Sequence, residues 1–229
     1  MGKWIISCEH GGNKIPAAYV PFFDKAEQVL QSHRGYDPGA YELFQLLSKE
    51  LADFSLFSHT SRLLVELNRS LHHPSLFSSF TKNSSAAVKK EIIASYYLPY
   101  RKMVEEKIQE YLKEEEQVIH LSIHSFTPEL NGEVRNADVG LLYDPSRKAE
   151  KSFCVSWKEN LKKEWPNARI RMNYPYQGKA DGFTTYLRKR YQSGYIGIEL
   201  ELNQKHAGYI PAYTAVLKSL QHLKEEWAK

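Results

Sequence analysis

Trp4-Ile5-Ile6-Ser7-Cys8-Glu9-His10-Gly11-Gly12 is a short, mostly apolar run that ends abruptly in a carboxylate, an imidazole and two glycines. A run of this length closed by turn residues predicts a buried strand over residues 4–8, with the chain turning at His10-Gly11-Gly12. The pattern recurs downstream. Residues 117–123 read as a strand followed at once by His124-Ser125, and residues 195–202 as an alternating strand that carries Glu199 and Glu201. Further strands are expected at 53–59, 63–67, 137–143 and 168–172. Helical spacing is expected at 24–31, from Asp37-Pro38-Gly39 through Ala52, and at 86–116, 147–164, 184–192 and 212–228. Residues 70–85 have no period and read as a loop long enough to be functional. Strands alternating with helices predict an α/β fold with a mixed, largely parallel central sheet flanked by helices. At 229 residues, with no repeat, low-complexity tract or linker, a single domain over 1–229 is expected.

The bulk properties narrow the function. A formal charge of +4 permits anionic substrates, yet no Lys/Arg stripe suggests a nucleic-acid surface. Lys162-Lys163 and Arg188-Lys189-Arg190 read as solvated helix faces. Cys8 and Cys154 lie far apart, which signals neither a disulfide framework nor a thiolate metal site, and Cys8 reads as a small buried hydrophobe. No run reaches membrane-spanning length, and the first residues are too short and too soon interrupted for a signal peptide. No membrane association and a cytoplasmic location are therefore expected. With 15 tyrosines, several phenols are expected to line a polar cavity or cap the sheet edges. Oligomeric state is not legible.

In open sheets of this class ligands gather beyond the carboxyl ends of the strands. His10, Asn68-Arg69 and His124 are all expected just past such ends, which points to one common site. The segment Ser61-Arg62-Leu63-Leu64-Val65-Glu66-Leu67-Asn68-Arg69 places an arginine before an apolar run and an Asn-Arg pair after it. Arginine presents a planar fork of donors that matches a carboxylate. This segment can hold an acidic small molecule and leave donors for a developing negative charge. His10 and His124 are suited to bind a metal through neutral imidazole. A catalytic metal site needs a carboxylate as well, with Glu9, Asp37, Glu199 and Glu201 as candidates. Adjacent side chains of an extended chain point opposite ways, which counts against Glu9 beside His10. Asp37 competes with a second role as a helix cap ahead of Pro38. Glu199 and Glu201 share one strand face, so that face is either wet or borders the site. Glu201 is the preferred general base, with Glu199 its neighbour and substitute.

Taken in order, several pieces resemble the N-formylglutamate amidohydrolase family. They are residues 9–16, Asp37-Pro38-Gly39, Ser61-Arg62 through Asn68-Arg69-Ser70, His124-Ser125-Phe126, Arg135 through Tyr143, residues 173–176 through 181–184, and Glu201-Leu202-Asn203-Gln204. The resemblance covers nearly the whole chain. It implies a zinc-exopeptidase (phosphorylase/hydrolase-like) fold and hydrolysis of an N-acyl amino acid, typically N-formyl-glutamate to formate and glutamate. The Leu-Asn-Arg element also looks like the carboxylate clamp of aspartoacylase and the zinc carboxypeptidases. Carried over, Arg62 would stabilise the oxyanion, Asn68 and Arg69 would hold the amino-acid carboxylate, and Arg135 joins the substrate-binding set. One Zn²⁺ would sit on His10, Asp37 and His124. The chain departs from the wider group at Asn13, which stands where that group has a glutamate ligand. The resemblance therefore leaves the third ligand open, and Asp37 is the choice among the carboxylate candidates Glu9, Asp37, Glu199 and Glu201. The expected function is a metal-dependent amidohydrolase acting on a small N-acyl amino acid. The alternatives are a non-catalytic carboxylate-binding protein of the same fold, or an N-acyl amino acid hydrolase or carboxypeptidase with another substrate.

Overall fold

The computed structural model describes residues 2–114 and 117–227. In chain order the strands are β1 (Lys3–Cys8), β2 (Phe54–Phe57), β3 (Val118–Phe126), the small hairpin β4 (Glu129–Leu130) and β5 (Glu133–Val134), β6 (Val139–Leu142), β7 (Ile170–Met172) and β8 (Tyr195–Asn203). The α-helices are α1 (Glu27–Leu30), α2 (Ala40–Leu51), α3 (Ala86–Ile92), α4 (Leu98–Glu114), α5 (Lys148–Glu164), α6 (Phe183–Arg190) and α7 (Ile210–Glu226). The central sheet has six strands in the order β2-β1-β3-β8-β6-β7. All its pairings are parallel except β6 against β8. This is the mixed, largely parallel α/β sheet that the alternating pattern predicts. Among the described residues no helix is long and apolar enough to cross a membrane.

The two central strands, β3 and β8, are buried along their whole length. Side chains alternate across a strand, so each strand feeds two different interiors. One set comprises Trp4, Ile6 and Cys8 of β1, Ile119, Leu121 and Ile123 of β3, and Ile196, Ile198, Leu200 and Leu202 of β8. It forms an apolar layer under α2, α5 and α7, which contribute Leu43, Leu47, Phe153, Trp157, Val216 and Leu220. The other set starts apolar, with Ile5, Val118 and Tyr195 packed among residues of α3, α4 and α6. Toward the carboxyl ends of the strands it becomes polar.

The helical stretch expected at 86–116 is interrupted. A π-helical segment, Ile93–Tyr97, joins α3 to α4, and Glu115 and Glu116 lie outside the described residues, as does Ala228 at the end of the expected closing helix. The helix expected at 24–31 is reduced to the single turn of α1, after a 3₁₀ segment at Ala17–Phe23. The expected strand at 63–67 is a run of turns instead. The carbonyls of Leu63, Leu64 and Leu67 are taken by side chains and that of Glu66 by the Arg69 amide, rather than by a neighbouring strand. Ser78 Oγ donates to Leu63 O (2.5 Å) and Thr81 Oγ1 to Leu64 O (3.1 Å). Leu63, Leu64, Val65 and Leu67 are nevertheless all buried in the second apolar cluster. The apolarity is real and only the backbone geometry differs. Arg188 is not on a solvated face. It is 5% exposed, and its guanidinium meets the buried Glu150 carboxylate at 2.9 Å.

Candidate active site

The polar half of the second face is built by register. Ser122 of β3 lies beside Glu199 of β8, and His124 beside Glu201. On β6, Gly140 lies opposite Glu201 and Leu142 opposite Glu199. A Cβ on Gly140 would stand 1.9 Å from the Tyr174 carbonyl oxygen and 3.2 Å from Glu201 Cβ. Only glycine lets the 173–182 segment pass this close over the strand. His124 therefore sits within β3 and not past its end, because the strand runs on to Phe126. His10 does lie in the turn directly after β1.

Asp37 comes to these histidines from the segment ahead of α2, where its amide donates to the His10 carbonyl (3.0 Å). The capping position of α2 is Gly39, at φ +82°, and it has no side-chain cap. The Asp37 carboxylate is thus free of the capping role that competed for it. Its Oδ2 lies 3.2 Å from His10 Nδ1 and 2.9 Å from His124 Nδ1. One ligand atom from each of the three residues lies within 4.8 Å of the others, and all three residues are buried.

Behind each imidazole stands a second carboxylate. His10 Nε2 faces Glu66 Oε1, and His124 Nε2 lies 3.2 Å from Glu9 Oε2. Glu9 also accepts from Ser122 Oγ (2.5 Å) and Tyr100 OH (2.9 Å). Glu66 accepts from Arg62 Nε (2.8 Å) and Nη2 (2.6 Å) and from the Asn68 amide (3.0 Å). Burial opposes the charge on Glu9, but the hydrogen bond and charge of His124 outweigh it and hold the carboxyl well below its ordinary range. Burial likewise opposes charge on Glu66 and Asp37. Arg62 and His10 outweigh it at Glu66, and His10, His124 and Arg62 at Asp37, so both carboxyls are also lowered. With carboxylates accepting from Nε2, the Nδ1 lone pairs of both rings converge with Asp37 Oδ2. Three acceptors facing one another require a cation between them, either a proton or a metal ion. Without a metal, hydrogen bonds that the His124 ring donates to Asp37 and Glu9 overcome burial and raise it well above its ordinary value. The donor set is two imidazole nitrogens and a carboxylate oxygen, which suits a divalent ion with an open position.

Glu201 is 5% exposed, and its Oε2 is a buried oxygen without a hydrogen-bond partner among the described residues. Burial pushes its carboxyl up to about 8. Glu199 differs, since Thr184 donates to its Oε1 at 2.5 Å. A cavity of about 420 Å³ brings together His10, Asp37, Arg62, Asn68, Arg69, His124, Glu199 and Glu201. Arg135 does not line it. Its guanidinium reaches the Tyr176 hydroxyl (3.1 Å), and Tyr176 lines the cavity. Asn13, at the departure from the wider group, donates to Leu30 O (3.1 Å) and Gln31 Oε1 (3.1 Å).

Sequence reasoning passes over Glu66, and discounts Glu9 on an argument that holds only for a ligand beside His10. Glu9 and His10 do point apart, and that is what lets Glu9 support the other histidine. Glu66 carries a signal, since a carboxylate inside a buried apolar run, four residues after an arginine, needs a partner. Tyr176 and Asp181, also in the cavity wall, lie in segments that carry the family resemblance.

The model of the N-formylglutamate amidohydrolase family matches residues 2–207. No curated protein sequence matches the chain. Among solved structures, a gene product of Agrobacterium tumefaciens is 24% identical, with a TM-score of 0.79 over 97% of this chain and 92% of its own. An N-formylglutamate amidohydrolase from Ralstonia eutropha JMP134 is 15% identical, with a TM-score of 0.73 over 98% of this chain and 93% of its own. At these identities the two structures establish a shared fold, while the family match covers nearly all of the sequence. The chain belongs to the N-formylglutamate amidohydrolase family, hydrolases that act on amide bonds.

Proposed function

We propose that the chain is a zinc-dependent amidohydrolase that removes the N-formyl group from an acidic amino acid, N-formyl-glutamate above all. The observation that carries this reading is the convergence of His10 Nδ1, His124 Nδ1 and Asp37 Oδ2, in a cavity that also holds the unpartnered Oε2 of Glu201. His10, Asp37 and His124 would hold the ion. When bound, zinc supplies Lewis-acid chemistry, polarising the acyl carbonyl and making water more acidic.

The remaining steps belong to the chain's own residues. Glu201 takes a proton from the attacking water and returns it to the departing amide nitrogen, the general base then serving as general acid. Its unpartnered oxygen is free to do so once the carboxyl is ionised, a form that burial opposes up to about 8 and that a cation held by His10, Asp37 and His124 would favour. Arg62 spends three of its five N–H donors on Glu66 and Asp37. Its side chain is 28% exposed, and the two remaining donors serve the oxygen that gains charge as water adds. Asn68 and Arg69 hold the amino-acid carboxylate. Arg69 Nη1 donates to the Asp181 carbonyl, and among the described residues its Nη2 has no partner. Arg135 acts at the rim through Tyr176. Glu199, already bound to Thr184, shapes the floor and is not the base.

The test joins metal analysis to a formate-release assay on N-formyl-L-glutamate and a panel of other N-acyl amino acids, with and without added zinc. One bound zinc per chain and a preference for the formylated acidic substrate are expected. A folded H10A/H124A protein that retains the parent's metal stoichiometry would overturn the ligand assignment.

A further inference from the structure

Arg101, on α4, is a buried guanidinium with an unusual set of neighbours. The residue is 4% exposed, and among the described residues it forms no ion pair. The other deeply buried arginine, Arg188, pairs with the Glu150 carboxylate. Arg101 Nη1 instead donates to two main-chain oxygens, Leu67 O at 3.2 Å and Arg69 O at 3.0 Å. Its guanidinium carbon lies 4.9, 4.4 and 4.5 Å from the ring centroids of Tyr97, Phe183 and Tyr186. Desolvating a cation without a carboxylate partner is costly, and ring faces and carbonyls offset that cost only in part.

What this arrangement holds is the backbone on either side of Asn68. That segment belongs to no sheet, so its carbonyls depend on side chains for partners. Tyr97 OH is a second donor to Arg69 O, at 2.7 Å. The amide of Phe183, whose ring stacks on Arg101, donates to Asn68 Oδ1 at 2.6 Å. Asp181 Oδ2 accepts from the Ser70 amide at 3.0 Å. The Asn68–Arg69 pair is therefore fixed from behind by α4 and from the side by the start of α6, with Arg101 at the junction.

We infer that Arg101 is the positioning residue of the carboxylate clamp, presetting Asn68 and Arg69 for an anionic substrate without touching it. This rests on the clamp role proposed above for Asn68 and Arg69. A preset clamp lowers the ordering cost of binding, and a displacement of about 1 Å in such a group can cost on the order of a hundredfold.

The experiment compares R101M, R101K, Y97F and R69A in the zinc-loaded full chain, using N-formyl-L-glutamate and its α-carboxamide as substrates. R101M should raise KM for the carboxylate substrate by roughly ten- to a hundredfold, with kcat per bound zinc within about twofold of the parent. KM for the α-carboxamide should change little. R101K should recover only part of the loss, because lysine lacks the planar fork. Y97F removes one donor, carries little folding risk, and should produce a smaller rise of the same kind. If R69A raises KM for the carboxylate substrate while Y97F and the folded Arg101 variants leave it unchanged, the inference is overturned and the clamp reading stands. If R69A raises KM equally for both substrates, or not at all, the clamp reading falls and the inference with it. Equal losses on both substrates in R101M would also overturn it, reducing Arg101 to a general structural role.

Discussion

The two faces of the central sheet are built by the same strands and are nearly opposite in chemistry. On β8, Ile196, Ile198, Leu200 and Leu202 enter an apolar layer, while Glu199 and Glu201 on the other face line a polar cavity. On β3, Ile119, Leu121 and Ile123 stand against His120, Ser122 and His124. Both faces are buried, so burial does not distinguish them. The difference lies in what each residue finds. The apolar face is satisfied by packing alone. Each polar residue needs a particular partner, as when His120, pushed down to about 4 by burial, bonds Ser7 Oγ and Tyr195 OH, each at 2.8 Å. One face supplies stability that tolerates neighbours of similar shape, and the other supplies geometry that does not.

The contrast can be broken most sharply at Glu201. E201Q keeps the shape of the side chain and removes the proton acceptor. The turnover rate should fall about a hundred- to ten-thousand-fold, with zinc content and melting temperature close to the parent. E199Q should cost far less. If E199Q is the inactive variant and E201Q the active one, the two carboxylates exchange roles. The same substitution sharpens the contrast in the metal-free protein. Burial keeps the Glu201 carboxyl protonated up to about 8 in the folded state, against an ordinary value of 4.5. A group raised by folding contributes stability that is complete below its unfolded value and lost as pH rises toward its folded one. In paired denaturations of the metal-free proteins, the stability of the parent relative to E201Q should therefore decline between about pH 4.5 and pH 8. A difference that does not change with pH would show that Glu201 is not raised by burial.

On the opposite face, L200A should lower unfolding free energy by about 2–5 kcal/mol in a denaturant titration. Turnover per folded molecule should stay near that of the parent, although residue 200 is adjacent to both glutamates. A turnover loss as large as that of E201Q would show that the faces are not separable. The smallest effect is expected one layer behind the proposed metal ligands. E9Q and E66Q should each weaken zinc binding by about ten- to a hundredfold in a chelator competition. An unchanged affinity in both would show that these carboxylates do not orient the imidazoles.

The sheet is legible because alternation is a local property. Trp4, Ile6 and Cys8, or Ile196 through Leu202, announce a buried face within a few residues. His10, His124, Asp37, Asn68, Arg69 and the glutamates stand out as polar groups at the margins of such runs. What escapes is set by partners far away in the chain. Leu63–Leu67 reads as a strand, yet the carbonyls of Leu63, Leu64 and Leu67 are claimed by Ser78, Thr81 and Arg101, and no local pattern announces that. The polarity of His124 resembles a strand terminus, although β3 continues beyond it on the strength of its pairing with β8. Arg188 reads as solvated within a cationic triplet, and its partner Glu150 lies 38 positions away.

The π-helical segment Ile93–Tyr97 sets the phase of α4. Such a segment inserts a residue into a helix without adding a turn, and shifts everything downstream around the axis by about 100°, the angle of one residue. Tyr100, which reaches Glu9, and Arg101, which reaches the Leu67 and Arg69 carbonyls, both lie just beyond it. Deleting one residue from 93–97 would let α3 and α4 merge into an unbroken helix with every hydrophobic position downstream rotated. The contact behind Glu9 and His124 and the contacts behind the proposed clamp would be lost together, so this single irregular turn works as a shared timing mark for two parts of the cavity wall.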